Sequence, residues 1–178
     1  MEANDRARAW IEVDLDAVRA NFETVRAQGG GAGVIAMVKA DAYGVGAERV
    51  VTALEPLDPL AYGVATAAEG VQLRDTGIER PVIVFSPLPP DSVELAAAAG
   101  LTATLSDLDG VDRWSDAGRR HGPLDAHLEI DTGMGRAGFD WRESAAWALA
   151  LLEHLEGRVR LRGVYTHFHS ADAPDATP

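Results

Sequence analysis

Six times along this chain a short apolar run gives way to a helical pattern, and that alternation limits the fold more than any other feature. The runs are Gly33 to Val38, ending in Lys39, then Leu60 to Ala65, Pro81 to Phe85, Leu101 to Leu105, Leu124 to Ile130 and Val159 to Tyr165. Each is short enough for a buried strand. A helix follows from Ala47 to Leu54, stopped by Pro56, and another passes through Glu69, Val71, Leu73 and Arg74 to Gly77. Asp91, with Glu94 three residues on, reads as a capping box, and Gly100 ends that helix. Ser106 reads as the cap of a helix bearing Leu108, Val111 and Trp114, and Asp140 as the cap of a helix from Trp141 to Leu155. Strand, helix and strand in this rhythm specify a parallel sheet with helical crossovers. The spacing predicts parallel strands near 34–39, 61–65, 82–85, 101–105, 125–130 and 160–166, adjacent in order.

Two α/β architectures satisfy that pattern, a doubly wound sheet and a barrel. A (β/α)8 barrel takes roughly 250 residues for eight units. At 178 residues the chain reaches about six units of the eight, so the barrel reading is a partial one. Upstream of the repeats, Trp10 to Asp14 alternates like a short strand. Asp14 can cap a helix with Leu15, Val18, Phe22 and Val25 on one face, and Gln28 to Ala32 is a glycine loop. Residues 171–178 read as a tail. With 47% hydrophobic residues the chain can bury a core, and no apolar run approaches a membrane span. The polar start lacks signal-peptide features and cysteine is absent, so a cytoplasmic location is expected. A net charge of -12 argues against nucleic-acid binding by the fold as a whole, while leaving room for a local anion pocket.

Three stretches carry groups suited to chemistry. Lys39 stands at the carboxyl end of the first strand, followed by Ala40-Asp41-Ala42-Tyr43-Gly44-Val45-Gly46. A lysine there can lose solvation and react through its free amine, or can simply snorkel into water. The second stretch, Glu129 to Phe139, contains Asp131-Thr132-Gly133-Met134-Gly135-Arg136. Arg136 there is either a bidentate carboxylate clamp or a surface arginine on a glycine-rich turn. In the third, Gly163 to Asp172, His167 follows the sixth strand, and on its own is an ordinary strand-end histidine. His167, His169 and Asp172 could mimic a metal site, but nothing fixes a third ligand.

Taken together these stretches resemble alanine racemases. Lys39 to Gly46 is similar to that family's cofactor-lysine motif, with Val45 where many members carry histidine. Asp131 to Gly138 is similar to its D-T-G-M-G-R-x-G motif, and Gly163 to Asp172 to its G-x-x-[ST]-H-F-x-x-A-D segment. Tyr62 to Thr66, with Glu69 and Gly70, also follows the family pattern. The resemblance covers about Trp10 to Asp172. It implies a barrel that binds pyridoxal 5′-phosphate (PLP), a second β-rich domain and a homodimer that interconverts L- and D-alanine. By carry-over, Lys39 would hold the cofactor as a Schiff base and exchange the α-proton. Tyr43 would reach the cofactor phosphate, and His167 would support its ring. Arg136, beside Met134, would contact the substrate carboxylate and the cofactor's phenolic oxygen. Glu129 stands where many members have a lysine, often carbamylated, and would supply the same negative sign to orient Arg136. The resemblance further implies that residues 1–178 form an incomplete amino-terminal barrel domain without the β domain, inactive alone because the second proton-transfer tyrosine lies in that domain. A different class also fits: a non-catalytic PLP-binding or dimerisation module, such as a decayed gene product or a cofactor-homeostasis protein.

Overall fold

The computed structural model describes residues 9–155 and 157–173. β1 (Ile35–Met37), β2 (Ala61–Val64), β3 (Val82–Pro87), β4 (Thr102–Leu105), β5 (Leu124–Asp131) and β7 (Val159–Tyr165) run parallel and pair in that order. A six-strand order that never reverses is barrel-type winding and leaves no switch point of the doubly wound kind. The crossovers carry α3 (Ala47–Leu54), α4 (Ala67–Asp75), α5 (Val93–Ala98), α6 (Leu108–His121) and α7 (Ser144–Leu155), preceded by α1 (Leu15–Gln28) and the short α2 (Lys39–Gly44). Because such crossovers are right-handed and the order runs one way, the helices collect on one face of the sheet.

The core fills that face. Side chains alternate along a strand, so Leu124, Ala126 and Leu128 of β5 turn to the helices while Asp125, His127 and Glu129 turn the other way. The first set joins Tyr62, Val64, Val82, Val84, Ala103 and Leu105 in one cluster with Val51, Leu73, Val111, Trp114 and Leu151 from the helices. Each leucine and valine of the cluster contributes about 1.5–3 kcal/mol by leaving water. Trp114 anchors α6 to β5 by donating from Nε1 to the Asp125 carbonyl at 3.2 Å. Ser115 Oγ donates to the His154 carbonyl at 2.8 Å and ties α6 to α7.

Several local expectations need correction. Residues 9–14 are not a strand, and Trp10 and Ile11 are exposed. They pair with no strand among the described residues, whereas Asp14 does cap α1, accepting from the Asp16 and Ala17 amides at 2.9 and 3.0 Å. Asp91 caps nothing: Pro90–Ser92 is a 3-10 turn, and Glu94 reaches across to Arg120 and His121 of α6. The cap of α6 is Asp107, whose carboxylate accepts from the Gly110 amide at 2.6 Å, and this frees Ser106 for another partner. Asp140 opens a 3-10 turn, Trp141–Glu143, before α7 begins at Ser144. The short parallel strand β6 (Phe139–Asp140), paired with Ile130 and Asp131, was not foreseen. Of the expected tail, 174–178 lies outside the described residues.

Candidate active site

Parallel strands put the segments after β1, β5 and β7 on one edge, so Lys39, Arg136 and His167 share that edge. β1 ends at Met37, and Val38 carries the ladder one bond further by donating to the Gly63 carbonyl at 2.8 Å. Lys39, half-buried, then opens α2, whose interior is left-handed: Ala40, Asp41, Ala42 and Tyr43 have φ of 51, 54, 52 and 58°. A residue with a Cβ pays roughly 1–2 kcal/mol to adopt that conformation. Four in succession persist only where neighbours hold them. The Ala42 amide donates to the Val38 carbonyl at 2.9 Å, and the Gly46 amide to the Asp41 carbonyl at 2.9 Å. Asp41 Oδ1 accepts from the Ala47 amide at 2.7 Å at the start of α3, and Glu69 Oε1 of α4 accepts from the Ala40 amide at 2.9 Å. The turn brings the Tyr43 ring back over the lysine, with Nζ 6.0 Å from the ring centroid. Tyr43 itself is 65% exposed, so its phenol faces solvent beside the amine.

The segment after β5 is built differently. Asp131 collects the Gly133 amide at 2.9 Å and the Gly135 amide at 3.0 and 3.1 Å. Those backbone donors hold its carboxyl below the usual carboxylate range. β6 then closes the loop against β5, and Gly138 makes that closure possible: its φ is +114°, and a Cβ there would stand 2.7 Å from the Asp131 nitrogen. Arg136 lies exposed on the loop, with Met134 half-buried two residues earlier.

Behind this loop sits Glu129, only 3% exposed. A buried carboxylate requires donors. Ser106 Oγ donates to its Oε2 at 2.9 Å, which is the use α6 leaves for that serine. Tyr165 is the register partner of Glu129 on β7, and its hydroxyl lies 3.2 Å from Thr104 Oγ1. Burial, with the charge and hydrogen bonding of Glu129 in the same direction, pushes the Tyr165 phenol up to about 12, against the opposing charge of Arg136 and the Thr104 hydrogen bond. Glu129 and Arg136 thus act on Tyr165 with opposite sign, and no direct Glu129–Arg136 ion pair is found among the described residues, where the sequence predicts salt-bridge or one-water reach. The carboxylate is turned instead to Ser106 and Tyr165. Phe85 packs edge-on against Tyr165 with ring centroids 5.0 Å apart.

The third segment is the least constrained. Thr166 and Thr132 bond through their hydroxyls at 2.7 Å, joining the ends of β7 and β5, and His167 beyond is exposed. Sequence reasoning passed over Ser106, Thr104 and Tyr165. The signal was there in the alternation of β4, β5 and β7, where Thr104, Glu129 and Tyr165 fall opposite the apolar set.

A one-way parallel α/β sheet with a lysine turn and an arginine loop on its carboxyl edge defines the class: a barrel-type α/β domain. The family model described as the alanine racemase N-terminal domain matches residues 13–178, and the chain belongs to that family. The alanine racemase of Geobacter sulfurreducens is 42% identical over 168 residues, 92% of this chain and 43% of that protein. A solved alanine racemase from Clostridium difficile 630 matches with a TM-score of 0.86 at 30% identity, over 95% of this chain and 44% of that one. A histidine racemase from Leuconostoc mesenteroides matches with a TM-score of 0.79 at 26% identity, over 90% and 43% of the two chains. The chain thus spans under half the length of the curated relatives it matches.

Proposed function

We propose that this chain carries the lysine-bearing half of a PLP-dependent alanine racemase site, in a protein that acts in the cytoplasm as a homodimer on the free amino acid. The carrying observation is Lys39, the only lysine in the sequence, on a clamped left-handed turn at the strand edge it shares with Arg136. The residues present fit the cofactor's chemistry: one primary amine for an aldehyde, an exposed phenol beside it, and a guanidinium for an anionic group. Bound PLP would supply the electron sink that stabilises charge at the substrate's α-carbon. Lys39 would hold the cofactor and move the α-proton on one face. Tyr43 would donate to the phosphate. Arg136 would fix the substrate carboxylate next to Met134, and Glu129, steadied by Ser106 and Tyr165, would supply the negative field that orients Arg136. His167 would support the cofactor ring from the β7 side.

Racemisation needs a second proton-transfer group on the opposite face. None of the three tyrosines is free for it. Tyr43 shares the loop of Lys39, Tyr62 is buried among the helices and donates to Glu55 at 2.8 Å, and Tyr165 is held protonated and hydrogen-bonded. A positioned acid/base is worth roughly 10²–10⁴ in rate. The 178-residue chain assayed alone is therefore expected to take up PLP at Lys39 and to racemise alanine negligibly, as the site lacks that group. The test is to incubate the chain with PLP, reduce with borohydride and map the modified peptide, with Lys39→Ala as control. Label on Lys39 with negligible turnover is expected. Label confined to the amino terminus overturns the cofactor assignment, and robust turnover overturns the need for an outside base.

A further inference from the structure

Glu69 does more than its place in the helix requires. In α4 it completes a capping box: its amide donates to Thr66 Oγ1 at 3.2 Å, and its Oε2 accepts from the Thr66 amide at 3.2 Å. A capping box ends there. Here the same carboxylate takes two shorter bonds from outside it, from the Ala65 amide at 2.7 Å to Oε2 and from the Ala40 amide at 2.9 Å to Oε1. Both oxygens are thus engaged, and one side chain joins the loop after β2 to the loop after β1. Ala40 follows Lys39 directly and is the first of the four left-handed residues. Little in the turn's own sequence favours that conformation, since none of the four is glycine and only Asp41 is a residue that visits it readily. A charged acceptor on the first amide is the type of contact able to hold it.

We propose that Glu69 is a positioning residue for Lys39: its carboxylate locks the left-handed turn and so aims the amine at the strand edge. The proposal rests on the reading of Lys39 as the cofactor lysine. A glutamine at 69 can accept on one side only, and its amide group then faces an N–H on the other. Because the helix cap is the nearer demand, the Ala40 bond is the one lost.

The single lysine makes the test clean. The 178-residue chain and its variants are treated with PLP and borohydride, and label on Lys39 is measured relative to the amino terminus of the same molecule. Amide hydrogen exchange at Ala40 is followed in parallel. In Glu69→Gln the labelling ratio is expected to fall about tenfold and Ala40 exchange to rise about tenfold. Thr66→Ala, which removes the helix cap but not the clamp, should leave both within about twofold. Ala40→Gly in the Glu69→Gln background should restore the ratio, because glycine accepts the left-handed conformation without a clamp. Circular dichroism checks folding. Should Glu69→Gln not fold, Glu69→Asp carries the same comparison, as it keeps the charge but falls one methylene short of Ala40. An unchanged ratio and unchanged Ala40 exchange in Glu69→Gln overturn the proposal, as does an equal loss in Thr66→Ala. If the wild-type chain is labelled only at its amino terminus, the cofactor reading of Lys39 falls. Ala40 exchange then decides the clamp: acceleration supports it, and none overturns it.

Discussion

The loops after β1 and β5 each present a cation, and each is organised by a carboxylate that gathers backbone amides. They differ in where the carboxylate stands. Asp131 serves its own loop, reaching two and four residues ahead to Gly133 and Gly135. Glu69 serves a loop 29 residues behind it, by way of another helix. They differ also in how positive φ is accommodated: by Gly133, Gly135 and Gly138 alone after β5, but after β1 by Ala40, Asp41, Ala42 and Tyr43 ahead of Gly44 and Gly46. The arginine loop is thus self-contained and relaxed. The lysine turn is strained and, beside its own local bonds, is held from outside by Glu69, so its geometry depends on the fold around it.

That contrast can be broken from either side. The largest effect is expected from Gly138→Ala. The new Cβ would meet the Asp131 nitrogen at 2.7 Å and the Glu129 carbonyl at 3.0 Å, at a φ that alanine avoids. Denaturant unfolding should give a loss of about 3 kcal/mol, within the range of severe single-residue defects. A loss under about 0.5 kcal/mol, the scale of ordinary surface changes, would mean that β6 and its loop move freely. Ser106→Ala comes next, since it takes a hydroxyl donor from the buried Glu129 and should cost about 2 kcal/mol in the same measurement. Ala40→Gly should act in the opposite sense and stabilise the chain by about 1 kcal/mol, because it relieves strain where Gly138→Ala creates it. Destabilisation by Ala40→Gly would contradict the account of the lysine turn.

The smallest effect concerns pH. Burial, then the field of Arg162, lowers the His127 pKa below its ordinary value, with Asp125 opposing. The fold therefore favours neutral imidazole. Its contribution to stability is complete above the unfolded value of about 6.5 and is lost as pH falls below it. Melting temperatures of the wild-type chain should drop between about pH 7 and pH 5 more than those of His127→Gln, the window being that of an ordinary histidine. Parallel curves would remove His127 from the balance.

How much of this was legible beforehand follows the same division. Local rules work where the determinants are local. The strand Val159–Tyr165, the helix Ala47–Leu54 and the Asp131 glycine loop could all be located from neighbouring residues. Parallel order followed from the strand–helix rhythm, and so the shared edge of Lys39, Arg136 and His167 followed too. The rules failed at residues with two candidate partners. Ser106 and Asp107 could each cap α6, and only the inward turn of Glu129 on the neighbouring strand decides that Ser106 serves the carboxylate. Asp91 and Glu94 match a capping box, but Glu94 meets Arg120 and His121 across helices, which the sequence spacing cannot reveal. The left-handed turn was invisible for the same reason. Ala40, Ala42 and Tyr43 favour other conformations alone, and the clamp on the first of them comes from α4.

The central claim is that the lysine turn and the arginine loop form one site, and it can be tested in a single spectrum. Borohydride reduction fixes a phosphopyridoxyl group on Lys39, and amide and Arg136 Nε resonances are compared with those of the unlabelled chain. The account predicts shifts at Gly133, Gly135, Arg136 and His167 as well as at Ala40 to Tyr43. Shifts confined to the lysine turn and α3, with the β5 loop unmoved, would contradict it.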